Sequence, residues 1–166
     1  LLIFFLVTTT ISADKGMMRK LPSICKTDDC TADIPKRNIL NIALNANQEI
    51  MVNDNIVALS EVEQLVKSFV DNNGKFICDY CDGEQLPDAS DHPKDAVISL
   101  SHDALTKYEL FIDVQDEISK AYYDLRARYT KLKFNKMPSA LTKEELEVVK
   151  RAYPFIVSEV MVKRSN

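Results

Sequence analysis

Glycine is scarce in this sequence: among 166 residues there are only Gly16, Gly74 and Gly83. None lies close to another, so neither a G-x-G-x-x-G turn nor a phosphate-cradling P-loop can be assembled. The common nucleotide- and dinucleotide-dependent enzymes are thereby excluded. Positive charge is also in short supply, since 21 Lys and Arg face 25 Asp and Glu for a net charge of -4. A main partner made of nucleic acid normally demands a basic surplus, and none is present. Tryptophan is absent and histidine occurs twice. His92 and His102 each adjoin an acid, Asp91 and Asp103, but no neighbouring serine or cysteine completes a nucleophile signature. His102-Asp103 directly precedes a helical pattern and reads as turn chemistry. These residues point to no enzyme and require no cofactor.

What is present is one domain's worth of chain with ordinary composition, 46% hydrophobic and 28% charged. That length can bury about two-thirds of its unfolded surface and so build a core unaided. The charge is unevenly placed. Residues 1–13 carry none, and every charged side chain lies from Asp14 onward. Leu1 to Val7 is a solid apolar run followed by Thr8, Thr9, Thr10 and Ile11. A membrane-spanning helix takes about 20 apolar residues, so residues 1–13 read as the C-terminal part of one. The threonine hydroxyls suit such a helix because they bond back to the preceding turn. A signal-peptide remnant and a buried strand are the rival readings; the first lacks a basic flank, and the second has no period to support it.

Residues 14–37 form a flexible linker, with Leu21-Pro22 and Pro35 and no sustained period. From residue 38 to 166 the pattern is that of a folded α/β domain. Leu40, Ile42 and Leu44 alternate along a first strand, Glu49 to Val52 is a second, and Ala46-Asn47 makes the hairpin between them. Asn53-Asp54-Asn55 forms a further turn. Three capping boxes, Ser60 with Glu63, Thr106 with Glu109 and Thr142 with Glu145, announce three helices. The first runs to about Asn73, turning Val62, Leu65, Val66, Phe69 and Val70 inward, with Gly74 as its stop. The second spans about 107–133 with a stripe from Tyr108 through Phe111, Ile118, Tyr122, Leu125 and Tyr129 to Leu132, interrupted by Gln115. The third covers about 143–152, ending before Pro154. Ala96 to Leu100 and Phe155 to Val162 are the remaining strands. The order implies an α+β fold: a single small mixed sheet with helices packed on it.

Four cysteines fall in two close pairs, Cys25/Cys30 and Cys78/Cys81. Outside the cytoplasm they suit disulfides, and the two local pairings are the favoured connectivity. Cys78-Asp79-Tyr80-Cys81 also has the spacing of a zinc knuckle that Cys25, Cys30 or His92 would complete. A redox C-x-x-C is a third reading, though the following Asp82, Gly83 and Pro87 indicate loop rather than helix. Arg126, Arg128, Lys131, Lys133 and Lys136 give the second helix a basic end, which favours its dipole and reads as a solvated face.

Taken together, these stretches resemble the ExbD/TolR family of biopolymer-transport proteins. Leu-Leu-Ile-Phe-Phe-Leu-Val-Thr-Thr-Thr is similar to the end of that family's single transmembrane helix. Asn38 to Ile42 resembles its first core strand, and Tyr108 to Gln115 its second helix. Met17, Leu21 and Pro22 match the family's short linker motif, while Arg19 stands where a second apolar residue is expected. The segment from Lys133 to Tyr153 resembles an extended ExbD variety.

The resemblance implies a single-pass protein of the bacterial inner membrane with its C-terminal domain in the periplasm. It implies a homodimer inside ExbB/TolQ-like proton-channel subunits, coupling proton flow to force on a TonB- or TolA-like protein. The family's proton-carrying Asp precedes the Leu-Leu-Ile stretch by about one and a half helical turns and so lies before Leu1. Thr8, Thr9 and Thr10 are the pore-facing candidates within the chain. Lys15, Arg19 and Lys20, counted alone, would put their flank in the cytoplasm, whereas the cysteines favour an oxidising compartment. The rival class is an anchored periplasmic module binding peptide, cell wall or metal through a sheet edge or the Cys78–Cys81 loop; a thiol oxidoreductase comes third. For peptide capture by strand addition, the first strand is the expected edge.

Overall fold

The structure, a computed structural model, describes residues 34–162. The apolar segment, Thr8 to Thr10, the linker motif at Met17, Leu21 and Pro22, and Cys25 and Cys30 lie outside the described residues. The elements are β1 (Ile39–Leu44), β2 (Ile50–Val52), β3 (Asn55–Val57), α1 (Leu59–Val70), β4 (Val97–Asp103), α2 (Tyr108–Phe134), α3 (Lys143–Ala152) and β5 (Val157–Val162). The sheet order is β3-β2-β1-β4-β5. β1, β2 and β3 form an antiparallel meander, while β4 runs parallel to β1 and β5 parallel to β4. The fold is the expected α+β arrangement, one mixed sheet with helices packed on it.

Alternation decides which face of the sheet is covered. Leu40, Ile42 and Leu44 of β1 and Ile98 and Leu100 of β4 all point into the core, and Ile42, Ile98 and Leu100 are fully buried. Val62, Val66, Phe69 and Val70 of α1 meet them, as do Val114, Ile118, Ala121, Tyr122, Leu125 and Tyr129 of α2. Both Asn53 and Asp54 take positive φ, 44° and 68°, the conformation of the tight two-residue hairpin whose twist matches its strands. That turn makes a strand of Asn55 to Val57, so Asn55, read from the sequence as part of the turn, belongs to the strand that follows it.

The helix ends differ from expectation in two of three cases. α1 starts one residue before Ser60, because the Glu61 carboxylate accepts from the Ala58 N–H at 2.7 Å. Ala58 has no side-chain acceptor, so this is half of a capping box, and Glu63 instead pairs with Lys67. α1 also stops at Val70 rather than Asn73, since Asp71, Asn72 and Asn73 turn their side chains to the following loop. Thr106 does not cap α2; its hydroxyl donates to the Leu44 and Asn45 carbonyls. Lys107 takes the N-cap position, and its N–H donates to the Gln48 side chain. The Thr142–Glu145 box is reciprocal, as expected.

The stripe of α2 is buried in its middle and exposed at its tips, Tyr108 being 76% and Leu132 68% exposed. A helix of 27 residues is about 40 Å long, whereas a seven-residue strand covers only about 23 Å. The helix therefore outruns the sheet. Leu65, on the edge of the α1 stripe, is also partly exposed.

Candidate functional site

The most elaborated part of the domain is the long loop between α1 and β4, built on three successive buried side chains, Asp71, Asn72 and Asn73. The Asn72 amide accepts from the Leu86 N–H at 2.8 Å and donates to the Leu86 and Ser90 carbonyls. The Asn73 carbonyl oxygen accepts from the Ile77 and Cys78 N–H groups, both at 3.0 Å. Each asparagine thus replaces the backbone ladder that a loop lacks. Cys78 and Cys81 form a disulfide with their Cα atoms 5.5 Å apart. Asp79 and Tyr80 between them make a turn, not a helix.

The far end of the loop is anchored on Asp91, which is fully buried. Its carboxylate meets Arg37 at 2.5 Å and Lys75 at 3.2 Å, and the Asn38 amide donates to it. Burial alone would push this carboxyl up; hydrogen bonds from Lys75, Asn38 and Arg37 outweigh it and hold it below its ordinary value near 3.8. A depressed folded value means a contribution that is complete above the unfolded pKa and lost as pH falls through the folded one. Acid melts should therefore show Asp91's contribution intact at pH 5 and disappearing below about pH 4. Asp91→Asn should lower the melting temperature at pH 5 and flatten that part of the acid slope; an unchanged slope would count against this anchor.

Tyr80, at the tip of the disulfide turn, ties the loop to the third helix. Its hydroxyl donates to the Ala152 carbonyl at 2.9 Å, and its ring stands edge-on to those of Tyr129, Tyr153 and His92. Burial pushes the Tyr80 hydroxyl up to about 12. Tyr153 donates to Asp71 at 2.5 Å, Arg128 donates to the same carboxylate at 2.5 Å, and Arg128 also reaches the Tyr153 hydroxyl at 3.1 Å. Burial first, then the Asp71 carboxylate, pushes the Tyr153 hydroxyl up strongly. Arg126 grips the Tyr153 carbonyl with two N–H groups, at 2.9 and 2.7 Å. Asp71, Tyr80, Arg126, Arg128 and Tyr153 thus fasten the cysteine loop, α2 and the end of α3 into one unit.

Several expectations are corrected here. Arg126 and Arg128 are not part of a solvated basic face; both are half-buried and hold the chain around α3. Lys136 pairs with Glu145, while Lys131 and Lys133 are exposed. His92 accepts from the Lys94 N–H through its Nδ1, and burial pulls its pKa down; the Cys25 and Cys30 of the zinc reading lie outside the described residues. Cys78 and Cys81 are engaged with each other, and no group of three metal-ligating side chains occurs among the described residues. No helix opens at Cys78, so a helix N-terminus does not act there to lower a thiol's pKa. Closing so short a loop contributes at most about 2 kcal/mol. Cys81→Ser should therefore leave a folded domain with modestly lower stability in urea and no insulin-reductase activity; reductase activity in the wild type would revive the redox reading. His102 is not a turn residue: it lies within β4, paired with Leu44 and Met161 of the flanking strands, and packs against Phe111 of α2. The turn bond belongs to Asp103, whose carboxylate accepts from the Leu105 N–H.

β1 is not an edge. It lies between β2 and β4, because the β2–β3 meander covers one side and the crossover from α1 places β4 on the other. Among the described residues the sheet's edges are β3, three residues long, and β5, whose Val160, Met161 and Val162 are 50%, 56% and 50% exposed. Among the described residues no helix is long and apolar enough to cross a membrane.

A family model described as "Biopolymer transport protein ExbD/TolR" matches residues 1–131. The chain belongs to the ExbD/TolR family. Members of this family are accessory proteins of biopolymer transport rather than enzymes. No curated protein matches the sequence. The ExbD/TolR match joins the apolar segment, the linker and the domain as far as Lys131, close to the end of α2. α3, β5 and the Tyr153 half of the clamp lie beyond it. The interlocking partners of the cysteine loop, Asp71, Arg128 and Tyr153, carried no sequence signature. A buried acid just past a helix and a Tyr-Pro pair after another were their only traces.

Proposed function

We propose that this chain is the ExbD-type subunit of an inner-membrane motor driven by the proton motive force, energising a TonB- or TolA-like protein for transport across the outer membrane. The observation that carries this reading is the family match over residues 1–131, which spans the apolar segment, the linker and most of the domain. The polypeptide crosses the membrane once, ending there in residues 1–13, with residues 14–37 as linker and 38–166 in the periplasm. An ionised acid within the bilayer is costly, so it takes up and releases protons as its exposure changes. Each charge crossing the membrane releases about 2.3 kcal/mol per 100 mV, enough to bias a conformational equilibrium. In the family that acid lies on the helix whose end the Leu1-Leu2-Ile3 stretch resembles; Thr8, Thr9 and Thr10 continue that helix and face the pore. The Cys78–Cys81 disulfide supports an oxidising compartment.

Two copies of the chain sit inside a ring of ExbB/TolQ-like subunits. Co-expression with such subunits should yield a complex that survives detergent extraction and size-exclusion chromatography, and deleting residues 1–13 should abolish it. A complex that persists without those residues would contradict the membrane assignment. Engagement of the transducer by strand addition falls on β5, the long edge. Amide exchange in Val157–Val162 should slow when a TonB-like peptide is added, while β1 is unaffected.

A further inference from the structure

A groove of about 1020 Å³ lies between α2, α3 and the chain entering β5. We propose that it is a docking site for an extended peptide segment of a partner protein, apolar in its side chains and acidic in its charge. Leu141, Leu146, Pro154 and Phe155 give it an apolar lining. Around that lining stand Lys94, Arg126, Lys150 and Arg151, against one acid, Glu147. The sign of the groove is thus opposite to that of the whole chain, whose net charge is -4. Glu147 is paired with Lys150. Arg126 has no carboxylate partner among the described residues; its guanidinium holds the Tyr153 carbonyl and lies 5.9 Å from the centre of the Tyr122 ring.

The polar groups within the lining favour a peptide over an acyl chain. Tyr122 is 1% exposed and lines the groove, with its hydroxyl beside the Ile156 backbone. Arg126 is half-buried beside it. A hydrocarbon would leave the Arg126 guanidinium facing apolar matter, a costly arrangement. A peptide brings backbone carbonyls and carboxylates to it while its apolar side chains fill the lining, the usual composition of a selective pocket. α3 supplies one wall and lies beyond the matched family region, so the site belongs to the extension of this chain. The inference does not depend on the motor reading, because it concerns only what fits the groove.

The probe is a fluorescein-labelled ten-residue peptide alternating leucine or phenylalanine with glutamate, titrated into the full chain in zwitterionic nanodiscs and followed by anisotropy. Binding is expected, weakened at least about tenfold by Arg151→Glu and by Leu146→Asp, two exposed rim substitutions, and absent for a peptide with lysine in place of glutamate. Far-UV circular dichroism checks that both variants remain folded. Equal binding of the lysine peptide, or binding untouched by both variants, overturns the proposal. So does a silent glutamate peptide where anionic phosphatidylglycerol vesicles bind and the two variants abolish it, which assigns the groove to lipid. A silent peptide with both variants dissociating a homodimer assigns it to a second copy and equally overturns the proposal.

Discussion

Asp71→Ala should cost about 3 kcal/mol in urea unfolding and lower the melting temperature by roughly 10 °C. The Asp71 side chain is 6% exposed, and three donors converge on it: Tyr153 and Arg128 at 2.5 Å each and the Asp82 N–H at 3.0 Å. Removing the carboxylate leaves a buried phenol and a guanidinium without their acceptor, and breaking such a pair costs far more than the pair itself contributes. Arg128 is 36% exposed and regains some hydration, which places the effect at the lower end of the range for buried pairs. Because Tyr153 and Asp82 belong to different segments, the loss should be regional. Amide exchange in α3 and in the cysteine loop should accelerate well before that in β1 and β4. A loss under 1 kcal/mol would mean that the loop and α3 are not held together through Asp71.

Gly83→Ala is expected to have the next largest effect on the fold. A Cβ at this position would stand 2.4 Å from the Asp71 carbonyl oxygen, 2.5 Å from the Asn72 Cα and 2.8 Å from the Asn72 nitrogen. All three contacts are backbone, so no side-chain rotation relieves them. The φ of Gly83 is not positive, and the requirement is for close approach rather than for an unusual backbone conformation. Overpacking of this kind costs roughly 1–3 kcal/mol, and here it also disturbs Asn72, whose amide organises the loop. Gly74→Ala is the control. Its nearest contact would be 3.1 Å from the Ser90 carbonyl oxygen, so it should be clearly milder in the same urea titration. Equal effects would show that the packing around Gly83 is looser than these distances require.

The sheet and the helices were legible where periodicity was strong. Leu40, Ile42 and Leu44 announced a strand with one buried face, and the Thr142–Glu145 box placed α3 to the residue. The other two boxes failed for a local reason: Glu61 reaches the Ala58 N–H before Ser60 can act, and tertiary contacts recruit Thr106 to the β1 carbonyls. Strand order was not legible either. Alternation gives the buried face of β1 but not its neighbours, and a strand read as an edge proved central once β2 and β4 flanked it. The clamp of Asp71, Tyr80, Arg126, Arg128 and Tyr153 was hidden because its partners are as many as 82 residues apart. Its arginines fell in a charge run that resembles a solvated helix end. The cysteine pairing at Cys78 and Cys81 was legible, being set by a local turn. The apolar segment and the linker motif gave the family resemblance, which the match over residues 1–131 bears out.

The central proposal is that proton movement through the membrane segment drives transport. It is tested most directly in cells carrying the full-length gene, by replacing with its amide the acid that the family places about one and a half helical turns before the stretch matched by Leu1-Leu2-Ile3. Energy-dependent uptake of an outer-membrane substrate should fall to the level of the gene deletion, with the variant's abundance and membrane location unchanged. Uptake at the wild-type rate, or a full-length gene with no acid at that place, would contradict the account.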